Sequence, residues 1–185
     1  MKFFRELKIR NKILAIVLPL TVVPIIVISL IIGYIATDKA YKSITKVSKD
    51  DLNHIAFFTA DLLNAYLGDD ISKELKEKAF LDMKSIIRSK KVGDTGYIYI
   101  IDMEGNLIVH PAREGDNIYN ATDSDGNHFI REMIKNKNGW IRYPWKNPGE
   151  TEARYKIVRY IFYEPKNWII AVGSYENEFY SEAEG

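Results

Sequence analysis

Residues 92–111 read VGDTGYIYIIDMEGNLIVHP, from Val92 to Pro111, and their reading decides the fold. Tyr97 to Ile101 is β-branched and aromatic, as a half-buried strand requires. Asp102 to Gly105 reads as a tight turn, with Gly105 free to take a positive φ. Asn106 to His110 is a second strand, closed by Pro111, which has no N–H to give to a ladder. A lone hairpin is marginal in water, so it needs a wider sheet or a helix behind it. It also carries Tyr97, Tyr99 and His110, three polar groups available to a cleft.

On the C-terminal side the pattern continues. His128 to Lys135 reads as a short helix. Gly139 opens a strand to Trp145, with Ile141, Tyr143 and Trp145 on one face. Pro144 suits an edge strand or a bulge. Ala153 to Phe162 is a longer strand with Lys156, Val158, Tyr160 and Phe162 on one face. Glu164 to Asn167 turns the chain into a final apolar strand, Trp168 to Tyr175. Five strands with short connections predict antiparallel order.

On the N-terminal side, Leu52, Ile55, Phe58, Leu62, Ala65 and Tyr66 form one apolar helical stripe. Gly68-Asp69-Asp70 reads as the end of that helix and a cap for the next. Ile71, Leu75, Ala79, Met83, Ile86 and Ile87 form a second stripe, ending in a basic run from Arg88 to Lys91 that suits a helix C-terminus. With helices packed on an antiparallel sheet, the fold class is α+β.

Further upstream, Ile13 to Ala36 contains no charged residue. As a helix it spans about 36 Å, enough to cross a bilayer core. Pro19 and Pro24 are tolerated in such a helix. Lys2, Arg5, Lys8, Arg10 and Lys12 precede the run, with Glu6 as the one acid. That asymmetry predicts a cytoplasmic N-terminus, residues 1–12, and an exported body. A cleavable signal peptide is the alternative, but its apolar core is shorter and ends in a small-x-small site. The first 36 residues carry a net +4 within a whole-chain net of +1, so the body is mildly acidic and gives no footprint for nucleic acid.

Chemistry-bearing motifs are few. There is no cysteine, which excludes thiolate metal sites and cysteine nucleophiles. Phosphate-binding glycine loops, zinc-protease motifs and serine-nucleophile motifs are absent. His54, His110 and His128 lie on separate elements without metal-ligand spacing. Asp123, Asp125 and Gly126 resemble half a calcium loop, but Ala121 stands where the first ligand should be, so a helix-capping turn is the better reading. Asn120-Ala-Thr122 fits a glycosylation acceptor only in a eukaryotic secretory pathway. What remains is an aromatic and cationic set on β-elements: Tyr97, Tyr99, His110, Tyr143, Trp145, Lys156 and Tyr160. An unpaired ammonium among apolar strand residues costs several kcal/mol, and a small anion would offset that through a charge-assisted hydrogen bond. The alternative for Lys156 is that it snorkels to water.

The ordered set Gly93-x-Thr95-Gly96-Tyr97, Asp102-x-x-Gly105, His110-Pro111, Glu114-Gly115, Asp125-Gly126, Gly139-Trp140, Tyr143-x-Trp145, Lys156 and Trp168…Gly173-x-Tyr175 resembles the single Cache domain family. These are extracytoplasmic sensor domains of chemoreceptors and sensor histidine kinases. The resemblance covers roughly residues 37–180, with 37–91 helical and 92–175 forming sheet and pocket. Behind the transmembrane helix read over 13–36, it implies a long membrane-proximal helix and a PAS-like antiparallel five-stranded sheet. It implies a binding module rather than an enzyme, with no cofactor, taking a small organic acid such as acetate, propionate, pyruvate or lactate. The pocket positions carry over to Tyr97, His110, Tyr143, Trp145 and Lys156, and more loosely to Tyr99 and Tyr160. It also implies pairing of two copies along the membrane-proximal helix, over Tyr41 to Leu67. Relatives continue past this point into a second membrane helix and an output module, whereas Glu176 to Gly185 is short and polar. The chain is therefore expected to be either a fragment of a longer receptor in the plasma membrane or a stand-alone exported binding or structural domain on one anchor.

Overall fold

The computed structural model describes residues 8–67, 73–147 and 149–180. Two compact units divide the chain, Met1–Ser43 and Ile44–Gly185. The first is helical from Ile9 onward and long and apolar enough to cross a membrane. Two of its threonines are satisfied within the helix. Thr21 Oγ1 donates to the carbonyl of Val17 at 3.0 Å and Thr37 Oγ1 to that of Gly33 at 2.9 Å, the bonding a helix needs if it crosses a bilayer core.

The second unit opens with the rest of the same helix, α1 (Ile9–Leu67), followed by α2 (Lys73–Ser89). The expected break at Gly68-Asp69-Asp70 lies outside the described residues, as do Ile71 and the tail 181–185. In this part of α1 the buried residues are Leu52, Ala56, Thr59 and Leu63. The face is therefore turned from the expected stripe, and Phe58 is 66 % exposed. Apolar residues cover a wide arc here, so periodicity alone admits several faces. The small Ala56 and Thr59 let the helix approach the sheet closely, and Thr59 Oγ1 is satisfied by the carbonyl of Ile55 at 2.7 Å. On α2, Met83 and Ile87 are buried while Leu75 and Ile86 stay exposed.

The strands are β1 (Lys91–Val92), β2 (Gly96–Asp102), β3 (Leu107–Val109), β4 (Gly139–Trp145), β5 (Arg154–Tyr163) and β6 (Trp168–Tyr175). All pair antiparallel in the order β1-β2-β6-β5-β4, with β3 also on β2. The five expected strands are present, and the two-residue β1 is the addition. Pro144 sits on β4, the last strand in that order, where a missing N–H costs no ladder bond. The hairpin turn is organised by Asp102, whose Oδ1 accepts the N–H groups of Glu104 and Asn106 at 3.0 and 2.8 Å. Gly105 takes φ 83°, and a Cβ there would meet Tyr119 Cβ at 2.7 Å, so this turn needs glycine.

Period-two alternation sorts the sheet into two faces. Ile98, Ile100, Ile157, Ile161, Ile170 and Val172 pack with Leu52, Ala56, Leu63, Met83 and Ile87 of the two helices. The opposite face carries Tyr99, Ile101, Tyr143, Val158, Ile169 and Ala171 and packs against Phe129, Ile130 and Met133. Those three lie on α3 (Phe129–Asn136). Asp123 does not cap α3. It accepts N–H bonds from Asp125 and Asn127 and closes its own turn, while the cap residue His128 makes no capping side-chain bond.

Candidate functional site

The second face of the sheet holds the aromatic and cationic residues singled out above. Tyr97 and Tyr99 share a face of β2, Tyr143 and Trp145 share one of β4, and His110 follows β3 directly. Together they line one narrow cavity of about 20 Å³, completed by Leu107, Arg113, Ile118, Ala121 and Phe129. That is room for roughly one water. A wider vestibule of about 460 Å³ lies next to it and shares Tyr97, His110, Arg113 and Trp145, adding Lys146, Asn147 and Glu150.

The inner wall is a packed aromatic cluster. Phe129 stacks on Tyr143 with centroids 4.1 Å apart, and Trp145 meets Phe129 edge-on at 5.5 Å. His110 meets Tyr97 edge-on at 5.1 Å. The Tyr99 and Tyr143 hydroxyls lie 3.4 Å apart, and Tyr99 Oη also reaches Met133 Sδ at 3.6 Å. Burial pushes the Tyr97 hydroxyl up to about 12, partly offset by its hydrogen bond with Trp145. Burial likewise raises Tyr99 and Tyr143. All three are therefore neutral donors at physiological pH.

His110 is fixed in one tautomer. Its Nδ1 accepts the backbone N–H groups of Ala112 and Arg113 at 3.0 and 2.9 Å, which leaves the proton on Nε2 as a donor. Burial and the positive charges of Lys156 and Arg113 lower its pKa to about 4. The folded state therefore binds fewer protons than the unfolded chain between pH 6.5 and 4. Stability should be fully present above 6.5 and fall as pH drops through 4. With one unit worth about 1.4 kcal/mol and the ring only half-buried, the loss should be about 1–3 kcal/mol. Thermal midpoints from pH 7 to 4 check this, and His110→Asn should flatten that acid limb.

Lys156 is the unusual group. It is 0 % exposed, and its Nζ has no hydrogen-bond partner among the described residues. The snorkelling alternative is thereby removed. Nζ lies 3.3 Å from the centroid of the Tyr97 ring, within cation–π range. Gly173 makes room for it, because a Cβ there would meet Lys156 Cε at 2.7 Å. The nearby carboxylates are engaged elsewhere. Glu178 accepts the N–H groups of Asp94 and Thr95, the Ser174 hydroxyl and the Arg154 guanidinium, and Arg154 also holds Glu150. Desolvation drives the Lys156 amine well below the usual lysine range, and Glu178 and Glu150 restore only part.

Lys156 does not itself border the cavity, since the Tyr97 ring packs against it from the cavity side. Tyr160 stands apart from both. It lies four residues from Lys156 on the same strand, roughly 13 Å along it, in the core under α3. One residue outside the expected pocket positions belongs here. Tyr175 faces Lys156 directly across β5 and β6, is fully buried, and its hydroxyl has no hydrogen-bond partner among the described residues. The alternation of Trp168 to Tyr175 places it with Ala171 and Gly173, but its pairing with Lys156 depends on strand register.

Comparison with known proteins follows the same lines. A family model described as single Cache domain 2 matches residues 70–185. A sensor histidine kinase, MctS of Rhizobium johnstonii, is 26 % identical over 186 residues. The match takes in 95 % of this chain and 40 % of the kinase, so the chain spans well under half of that relative's length. Among solved structures, a Cache chemosensory domain described for carboxylic acid recognition superposes with TM-score 0.62 at 23 % identity, over 72 % of this chain and 97 % of that one. A methyl-accepting chemotaxis protein of Vibrio parahaemolyticus gives TM-score 0.63 at 18 % identity, over 76 % and 97 %. At those identities the likeness is one of fold.

Proposed function

The chain belongs to the single Cache domain 2 family, and from that premise we propose that it is the sensor region of a membrane receptor that binds a short organic acid. Cache sensor domains of chemoreceptors and sensor kinases are extracytoplasmic and bind small ligands. The helix through residues 13–36 is a candidate membrane span, which fits a plasma-membrane receptor with its sensor outside. We assign the chain no catalytic step of its own. An output activity, as in the kinase relative, would belong to another part of a longer chain.

One observation carries the choice of an acid. Lys156 is fully buried, and its Nζ lacks a hydrogen-bond partner among the described residues. A carboxylate beside Nζ would exchange a costly isolated charge for a charge-assisted pair. Reaching it requires the Tyr97 ring to swing away from Nζ, so Tyr97 acts as the gate. The neutral Nε2–H of His110 and the Tyr97 hydroxyl then offer donors to the same anion. Phe129, Tyr143 and Trp145 wall the hydrocarbon end and hold it short. Acetate, propionate, pyruvate and lactate are the size that suits this wall.

Binding would bias the sheet against α1, and the size of the effect is bounded by the acid's differential affinity for the two arrangements. Pairing of two copies along Tyr41 to Leu67 is the assembly that would read out such a bias. Calorimetric titration of the full chain in nanodiscs with these four acids tests the reading. At least one should bind and raise the thermal midpoint. If none of them binds, the acid-sensor reading fails.

A further inference from the structure

Four tyrosines, Tyr97, Tyr99, Tyr143 and Tyr175, lie on the Lys156 side of the sheet, and two of their hydroxyls partner each other. Tyr99 and Tyr143 face each other at 3.4 Å. Tyr175 has no such partner among the described residues, although its hydroxyl is buried and close enough to interact electrostatically with Tyr97 and Tyr143. A buried hydroxyl left unsatisfied costs about 1–3 kcal/mol, and two such orphans side by side are more than packing needs. We infer that Tyr175 is a second anchor for the anion, its hydroxyl donating to one carboxylate oxygen while Lys156 holds the other.

The surroundings support this role. Tyr175 sits directly opposite Lys156 across β5 and β6, and Nζ lies 5.5 Å from the centre of its ring. The outer ring face is covered by the Arg154 guanidinium at 3.8 Å, which fixes the ring without engaging the hydroxyl. Arg154 is itself held by Glu150 and Glu178. Burial raises the Tyr175 pKa, so the group stays protonated and can only serve an anion as a donor. Lys156 and Tyr175 thus form a two-point clamp on adjacent strands.

The inference rests on the acid-sensor reading, and one experiment separates the two. Wild-type chain and Tyr175→Phe, both full length in nanodiscs, are titrated with acetate and propionate, and their ligand-free thermal midpoints are compared. Phenylalanine keeps the ring under Arg154 and removes only the hydroxyl. The variant should bind both acids about 10- to 100-fold more weakly, the loss of one hydrogen bond to a charged group, with a midpoint equal to or above wild type. Wild-type affinity in the variant would overturn the second anchor and leave the acid reading standing. A lowered midpoint or failure to fold would show that the hydroxyl has a structural partner and would also overturn it. Absence of acid binding by the wild type would sink both.

Discussion

Lys156→Met is expected to make the ligand-free protein more stable and to abolish acid binding. The two effects share one cause. In the fold Lys156 is wholly buried, with an aromatic face as its neighbour and no hydrogen-bond partner among the described residues. Its folded-state pKa lies well below the ordinary 10.5, so the unfolded chain binds more protons between those two values. Stability from this group therefore rises with pH through that window, and at pH 7 the residue is a net burden. Methionine keeps the length and packing and removes the charge. Replacing poorly compensated buried charge with apolar side chains stabilises by about 1–4 kcal/mol, which at this size raises the midpoint by roughly 5 °C. The gain should shrink as the pH approaches 10, because the wild type is relieved there as well. Titration should meanwhile show no acid binding. A variant that is less stable than wild type at pH 7 would mean that Lys156 has a compensating partner in the folded protein.

The second large effect is expected at Arg159, on the other face of the same strand. Its Nε donates to Asn53 Oδ1 at 2.7 Å, and its Nη1 reaches Asn138 Oδ1 and the carbonyls of Gly139 and Tyr160 at 2.6, 2.8 and 2.7 Å. The residue is 8 % exposed. It therefore ties α1 to β5 and to the turn between α3 and β4. Arg159→Met takes the donor from the buried Tyr160 carbonyl, at about 1–3 kcal/mol, and from the half-buried Asn53 and Gly139 acceptors, and it severs the link to α1. A loss of about 3 kcal/mol is expected, or roughly 10 °C in midpoint. Acid affinity should change by less than threefold, since Arg159 faces the helices. The opposite signs at positions three residues apart separate a group that holds the fold together from one that the fold holds at its own expense. A midpoint within 2 °C of wild type would contradict the assignment of Arg159 as a tie.

The legible part of this molecule was whatever depends on local pattern. Strand β6 runs over the expected Trp168–Tyr175, and β4 and β5 fall within a residue of their expected spans. Alternation put Tyr97 with Tyr99 and Tyr143 with Trp145, and the fold brings those pairs together with His110 around one cavity. What pattern does not carry is depth and register. Phe58 was counted into a helical stripe that an Ala and a Thr occupy instead, because burial here favours small residues at a close helix–sheet contact. Tyr160 shares a face with Lys156, yet four residues of strand separate it from the site. Tyr175 becomes visible only once β5 and β6 are placed in register, opposite Lys156. That Lys156 stands behind the Tyr97 ring is likewise a matter of depth.

The central claim is that a short carboxylate seats against Lys156 once Tyr97 moves aside. A crystal structure of residues 37–180 or of the full chain, grown with propionate, tests it most directly. The account predicts a carboxylate oxygen about 2.8 Å from Lys156 Nζ, with the Tyr97 ring displaced from its place 3.3 Å over that atom. A propionate found elsewhere, with Nζ still resting on the Tyr97 ring, would contradict it.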